Sequence, residues 1–193
     1  VLNKIVEMGA SKGLKFNELK TQVVMYTLKK KKATKKLVIN NNPIEYSNGA
    51  KYLGVFLDEK LSFNTHINQK INKCKNHLFA LKSIIGQKWG PSPQMMRWAY
   101  IGIVRSKLTY GCHLWSHKIT KTLEKKLKRL NRLACLSFSP VKKSSPTLGL
   151  EMIYNLLPLD FHIQKVASNT YARIHSQVKG TWDGIGHQSG KLG

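Results

Sequence analysis

Acidic residues are scarce in this chain. Nine Asp and Glu stand against 33 Lys and Arg, so the formal net charge is +24 over 193 residues. Self-repulsion of that size destabilises a compact chain unless a polyanion neutralises it, which makes nucleic acid the first partner to consider. The same scarcity weighs against a self-contained two-metal enzyme, since hard cations such as Mg2+ need clustered anionic oxygens. The one adjacent carboxylate pair, Asp58-Glu59, falls at a turn, where it suits a hairpin and the start of the next helix. There is no GxSxG nucleophile elbow and no Walker-type phosphate loop. The seven histidines are scattered and read as surface or packing residues. No residue is therefore assigned as catalytic on its own chemistry, and no cofactor is expected in this chain.

Cysteine is equally sparse. Cys74, Cys112 and Cys135 are odd in number and far apart, which argues against a disulfide scaffold and for a reducing, intracellular compartment, nucleus or cytoplasm. Cys112, His113 and His117 invite a zinc reading, but four ligands are needed and no further CxxC or HxxxH pair completes the set, so no metal site is assigned. Long apolar runs are absent too. Nothing approaches the roughly 20 uncharged apolar residues of a membrane span, and the opening "VLNKIVEMGASKGLKF" lacks the layout of a secretion signal. It also does not begin with Met, as expected of a fragment.

The residues that are present, 41% of them apolar, are enough for a core. Residues 1–12 read as a short helix with Leu2, Ile5 and Val6 on one face, closed by Gly9 and Gly13. Val23–Tyr26 favour a strand, "LVINNNPIEYS" a hairpin, and "AKYLGVFLD" a further strand. Beyond Ser62 the chain reads as helical. Phe63, Ile67, Ile71, Cys74, Leu78, Leu81 and Ile85 stripe a first helix, which Ser62 or Asn64 can cap. Pro93 opens a second, running to about Leu108. "TYGCHLW" is a bend, and Ile119 to Leu136 stripe a third helix. "SPVKKSSPT" links to helices around residues 148–155 and 159–177. The fold class is α+β, a small antiparallel sheet followed by a mostly helical body.

Two basic features stand out as nucleic-acid-binding candidates. Lys29, Lys30, Lys31, Lys32, Lys35 and Lys36 form a charged loop. Lys125, Lys126, Lys128, Arg129 and Arg132 lie along the third helix. The plainer reading is solvated loop and helix surface, and the scarcity of offsetting acid favours binding over it. Trp89, Trp98, Trp115, Tyr100 and Tyr110 could stack on bases, and are expected chiefly to fill the core.

"GLKFNELKT" (13–21), followed by "KYLGVFLD" (51–58), resembles the last palm motifs of non-LTR retrotransposon reverse transcriptases, including their Tyr-Leu-Gly primer grip. "YGCHLW", "LEKKLKRLNRLACL" and "PTLGLEMIYNLLPLDFHI" resemble the thumb and connection that come next. The "W…GH" ending is similar to a linker leading towards RNase H. The resemblance implies residues 1–61 as the end of the palm with its primer-grip hairpin, 62–139 as a helical thumb, 140–178 as a helical connection and 179–193 as a Gly-rich linker. It implies Tyr52, Leu53 and Gly54 as the grip, and Lys20 as an accessory beside the incoming nucleotide's phosphates. The partners it implies are an RNA template and a DNA primer, together with the N-terminal palm and fingers of a parent polymerase. The family's catalytic Asp-Asp is absent here, so Mg2+ and polymerisation belong to that parent, and this chain alone is expected to be inactive. Asn131-Arg132 replaces the family's usual Gln-Arg, as in a degraded copy. The alternatives are a stand-alone basic RNA- or DNA-binding protein of ribosomal type and a helical interaction scaffold.

Overall fold

A computed structural model of the chain describes residues 2–17, 20–29, 36–39, 42–84, 89–138 and 141–179. Its contacts divide the chain into two units, residues 1–69 and 70–193. The architecture is α+β, with two small antiparallel sheets and a helical remainder.

In the first unit, α1 (Leu2–Ser11) ends in a closed cap: Leu14 N–H donates to Gly9 O and Gly13 N–H to Ala10 O. Gly13 sits at φ 72°, the left-handed conformation this cap requires. Strands β1 (Leu37–Ile39) and β2 (Asn42–Ile44) pair antiparallel with Val38 opposite Pro43, forming the expected hairpin, whose two corner residues lie outside the described set. Val23–Tyr26 does not form the expected strand. The segment makes a single isolated parallel bridge, Val23 to Tyr46, with Ser47 N–H donating to Val23 O. Thr27 N–H just beyond it donates to Glu59 O instead. Bonds shared among separate loops build no ladder.

The stretch Ala50–Asp58, read as one strand, is two. Strands β3 (Gly49–Tyr52) and β4 (Val55–Asp58) face each other with Tyr52 opposite Val55, leaving Leu53-Gly54 as a two-residue turn. Both turn residues have positive φ, 45° and 84°, the combination that matches the twist of paired strands. After β4 comes α2 (Asn64–Ser83), inside which the unit boundary falls. Phe63, Ile67, Ile71, Cys74 and Leu78 are buried along one stripe, as their spacing predicts.

In the second unit, α3 (Pro93–Ala99) begins with Pro93 in its first turn and Ser92 Oγ accepting from Met95 N–H at 3.3 Å. The helix then widens into a π-helical turn over Tyr100–Arg105 before α4 (Ser106–Thr109). The expected bend holds a short α5 (Cys112–Trp115). Then come α6 (Lys121–Phe138), α7 (Thr147–Ile153) and α8 (Leu159–Lys179). Helix α8 packs on α5 and α6, and α6 also meets α3 and α7. Tyr100, Val104, Leu108, Trp115, Leu127, Leu130, Leu159 and Ile163 make the core, and the Phe138 ring packs edge-on against Tyr154. No described helix is long and apolar enough to cross a membrane.

One polar cluster lies inside this core. Asn131 of α6 is fully buried. Its Oδ1 accepts from Tyr100 Oη (2.7 Å) and Arg105 Nη2 (3.3 Å), and its Nδ2 donates to Glu151 Oε1 at 2.5 Å. Residues five apart on an α-helix point about 140° apart; the i→i+5 turn swings Tyr100 and Arg105 towards one face, so both reach the same oxygen. Burial pushes the Tyr100 phenol well above its ordinary range, which keeps it a donor. Replacing Asn131 with Leu takes from the buried phenol and carboxylate the partner that joins them, and takes from the guanidinium one of its two acceptors. We expect a loss of about 2–4 kcal/mol in urea unfolding; a loss below about 1 kcal/mol would mean that water readily replaces the amide.

Candidate nucleic-acid interface

The β3–β4 hairpin is stiff at both ends. At its tip, Tyr52 and Leu53 are 67% and 73% exposed, although both are large and apolar. Leu53 holds a left-handed backbone that costs a residue bearing Cβ about 1–2 kcal/mol. At its base, the Asp58 carboxylate accepts from Ser62 N–H (3.0 Å) and Phe63 N–H (2.8 Å). Leu61 and Phe63, in that same junction, also have positive φ, 49° and 56°. Phe63 O then accepts the first bond of α2, from Ile67 N–H. One carboxylate thus ties the end of the hairpin to the start of the helix. Burial by itself would raise the Asp58 pKa, but the N–H groups of Ser62 and Phe63 outweigh it and hold the group below the usual carboxylate range. His66 adds a tie from the first turn of α2, its Nδ1 accepting from Phe56 N–H at 3.1 Å.

Helix α6 carries the basic stripe. Lys121, Lys125, Lys128, Arg129 and Arg132 recur at steps that keep them on one face, opposite Leu123, Leu127, Leu130 and Ala134. The structure separates them by use. Lys125 and Arg129 are exposed, and Lys126 is partly covered at the side of the stripe. Lys128 bonds Glu124 at 2.5 Å and lies 3.8 Å from Asp160. Arg132 turns inward: its guanidinium donates to Ser145 O, Thr147 Oγ1 and Lys143 O, holding the loop before α7. In the first unit Lys29 and Lys36 are exposed, while Lys30, Lys31, Lys32 and Lys35 lie outside the described residues. Lys20 is exposed, its backbone N–H bonded to Asn17 in a tight turn.

The aromatic candidates divide as well. Tyr100 and Trp115 are core, whereas Trp89 and Trp98 are 70% and 60% exposed and Tyr110 is about half exposed. Arg97, next to Trp98, fastens α3 by donating to Tyr154 O and Asn155 O. Sequence reading missed Lys70. Its ammonium donates at 2.8 Å to both Lys107 O and Tyr110 O, at the end of α4, and lies 4.9 Å from the centre of the Tyr110 ring. Burial pulls its pKa down to about 8. The cysteines are buried, and burial pushes their thiols up, Cys74 and Cys135 to about 11, so none is a ready nucleophile. Among the described residues, no three His, Cys, Asp or Glu side chains converge to hold a metal.

No protein-family model and no solved structure matches the chain. Curated proteins do. It is 24% identical over 168 residues to the retrovirus-related Pol polyprotein from the type-1 retrotransposable element R1 of Nasonia vitripennis, covering 83% of the chain and 50% of that protein. It is 25% identical over 125 residues to the putative 115 kDa protein in the type-1 retrotransposable element R1DM of Drosophila melanogaster, covering 64% and 12%. It is 27% identical over 103 residues to the probable RNA-directed DNA polymerase from the Drosophila transposon BS, covering 53% and 11%. The chain is similar to the polymerases of non-LTR retrotransposons. It spans half the length of the first of these relatives and about a tenth of the other two.

Two substitutions probe the hairpin. Leu53→Asn replaces a strained residue with one that tolerates φ > 0, and should stabilise the fold by about 0.5–1 kcal/mol; a drop in the urea midpoint would show that the leucine side chain stabilises the first unit. Asp58→Ala should cost about 1–2 kcal/mol at pH 7. The folded pKa lies below the unfolded one, so this contribution is complete above about pH 4 and fades as pH falls through the folded value. Wild type and variant should therefore converge in stability towards pH 2. A gap of equal size at pH 7 and pH 2 would sink the carboxylate account.

Proposed function

We propose that this chain is a template–primer-binding portion of a retrotransposon RNA-directed DNA polymerase. The β3–β4 hairpin grips the primer end, and the exposed cations of α6 run along the nucleic-acid backbone. The single observation that carries the reading is the sorting of α6, with one face packed into the core and Lys121, Lys125 and Arg129 left to solvent. Phosphate contacts from such a face bind by releasing counterions, without reading sequence. A hairpin tip that is apolar, exposed and fixed by its own turn suits a sugar edge or a terminal base better than a phosphate. In-line phosphoryl transfer tolerates little misplacement of the primer end, which favours a stiff grip over a loop. Trp98 offers a further stacking face, and Lys20 would stand near the nucleotide's phosphates. Synthesis itself, with Mg2+, belongs to the parent polymerase, whose palm and fingers would complete the site.

The test is binding of the purified chain to a primed RNA–DNA hybrid and to plain duplex DNA of equal length, across a salt series. The hybrid should bind more tightly at near-physiological salt. Lys125→Ala with Arg129→Ala should weaken binding to every sequence and lower the salt slope by about one to two. Tyr52→Ala should reduce the preference for the primed end while leaving that slope unchanged. Equal binding of both duplexes that vanishes with salt would overturn the proposal and leave a simple polycation.

A further inference from the structure

Between α7 and the start of α8, the second unit opens a groove of about 610 Å3 that the polymerase reading does not use. Its walls include Arg105, Glu151, His162 and Lys165, and its rim includes Leu148 and Met152. Arg105 is 5% exposed, yet its Nε–H is buried with no hydrogen-bond partner among the described residues. The neighbouring Nη2 is committed, to Asn131 Oδ1 and to Leu157 O. A buried donor left unmatched is costly, and a ligand that accepts from it recovers that cost.

The charges in the groove do not balance. Arg105 and Lys165 stand against one carboxylate, Glu151, one of whose oxygens is already taken by Asn131. Burial, together with the positive charges of Arg105 and Lys165, holds the half-buried His162 below its ordinary pKa, so it is a neutral wall. The surplus is a single positive charge. The rim is unlike a phosphate site, for Met152 is 81% exposed and Leu148 71%, with Ile153 and Phe161 exposed beside them. Apolar side chains that large, left in water around a charged floor, suit an amphipathic partner rather than a sugar–phosphate chain.

We propose that this groove docks an apolar segment of a partner protein and seats one of its carboxylates, Asp or Glu, against Arg105. Specificity rests on the floor, since an amide or a phosphate placed there matches either the donor or the charge less well, and affinity rests on Leu148 and Met152. The site is independent of the α6 stripe, so it stands whether or not the chain grips a primer.

The probe is acetyl-Leu-Glu-Leu-Leu-amide, titrated into the 15N-labelled full chain while the Arg105 Nε–H resonance is followed. Saturable movement of that resonance is expected. The peptide with Gln in place of Glu should bind about tenfold more weakly. Met152→Asp and Lys165→Glu change exposed side chains, leave Arg105 and its fold contacts in place, and should each weaken binding at least threefold. No saturable shift would overturn the proposal, as would Met152→Asp binding like wild type. Tighter binding of a phosphoserine peptide, or displacement of the probe by a short single-stranded oligonucleotide, would reassign the groove to phosphate and overturn the protein partner.

Discussion

The second unit depends on one amide. Asn131 stands where α6, the π-helical turn and α7 meet, and its one amide joins a buried phenol, a guanidinium that also holds Leu157 O, and a buried carboxylate. A phenol and a guanidinium both need an acceptor, a carboxylate needs a donor, and a primary amide offers both ends. An apolar replacement of all four residues would pack as well, and buried polar networks of this kind are often neutral in stability. What the amide adds is geometry. With Asn131 turned inward, the rotation of α6 about its axis is set, and the opposite face, with Lys125 and Arg129, has nowhere to go but water. The unmatched Nε–H of Arg105 belongs to the same arrangement, in which Nη2 alone ties the guanidinium to Asn131 and to Leu157 O.

Three of this unit's arginines serve the fold, while Arg129 and Arg173 stay exposed. Arg97, Arg105 and Arg132 all donate to backbone carbonyls, those of Tyr154 and Asn155, Leu157, and Lys143 and Ser145. These carbonyls lie in the loops on either side of α7, a seven-residue helix too short to hold its own ends. A planar guanidinium can serve two or three such acceptors in fixed directions, whereas an ammonium is a point charge on a flexible stem. The lysines are left mostly outside, with Lys70 the clear exception. Net charge alone therefore overstates the binding surface. Arg132 counts towards the +24 but is engaged in holding a loop.

Helix spacing made most of this legible. Phe63, Ile67, Ile71, Cys74 and Leu78 advance by fours and a three, close to 3.6, and α2 is an ordinary helix. Met96, Tyr100, Val104 and Leu108 advance strictly by four, and all are buried. On an α-helix that pattern drifts about 40° per step and would turn Leu108 out of the core. The widened turn absorbs the drift, so the strict spacing of four is itself the sequence signal of the π segment. The Leu53-Gly54 turn was harder to see, because its first position carries leucine where Asn or Asp would announce it. The Val23–Tyr26 strand failed for a reason outside its own residues: β-branched side chains give propensity, but a ladder needs a neighbour in register. The inward turn of Arg132 has no local signal at all, since its acceptors lie eleven to fifteen residues further along the chain.

The hairpin and its junction bear on function through strain. Leu53, Leu61 and Phe63 all hold left-handed backbones within one short stretch. Phe63 is buried, so packing offsets its cost, and the Asp58 carboxylate fixes the two residues after Leu61. Leu53 is different: its side chain is largely in water and its φ is unfavourable. A residue that gives up stability within the fold, and exposes an apolar side chain as well, makes physical sense when its contact lies outside the fold. The hairpin provides the rest of what such a contact requires, since a two-residue turn on paired strands cannot yield by the ångström that a flexible loop would. In the proposed reading that contact is the end of a primer strand. The strain at Leu53 is then the cost of holding Tyr52 and Leu53 forward in one fixed position.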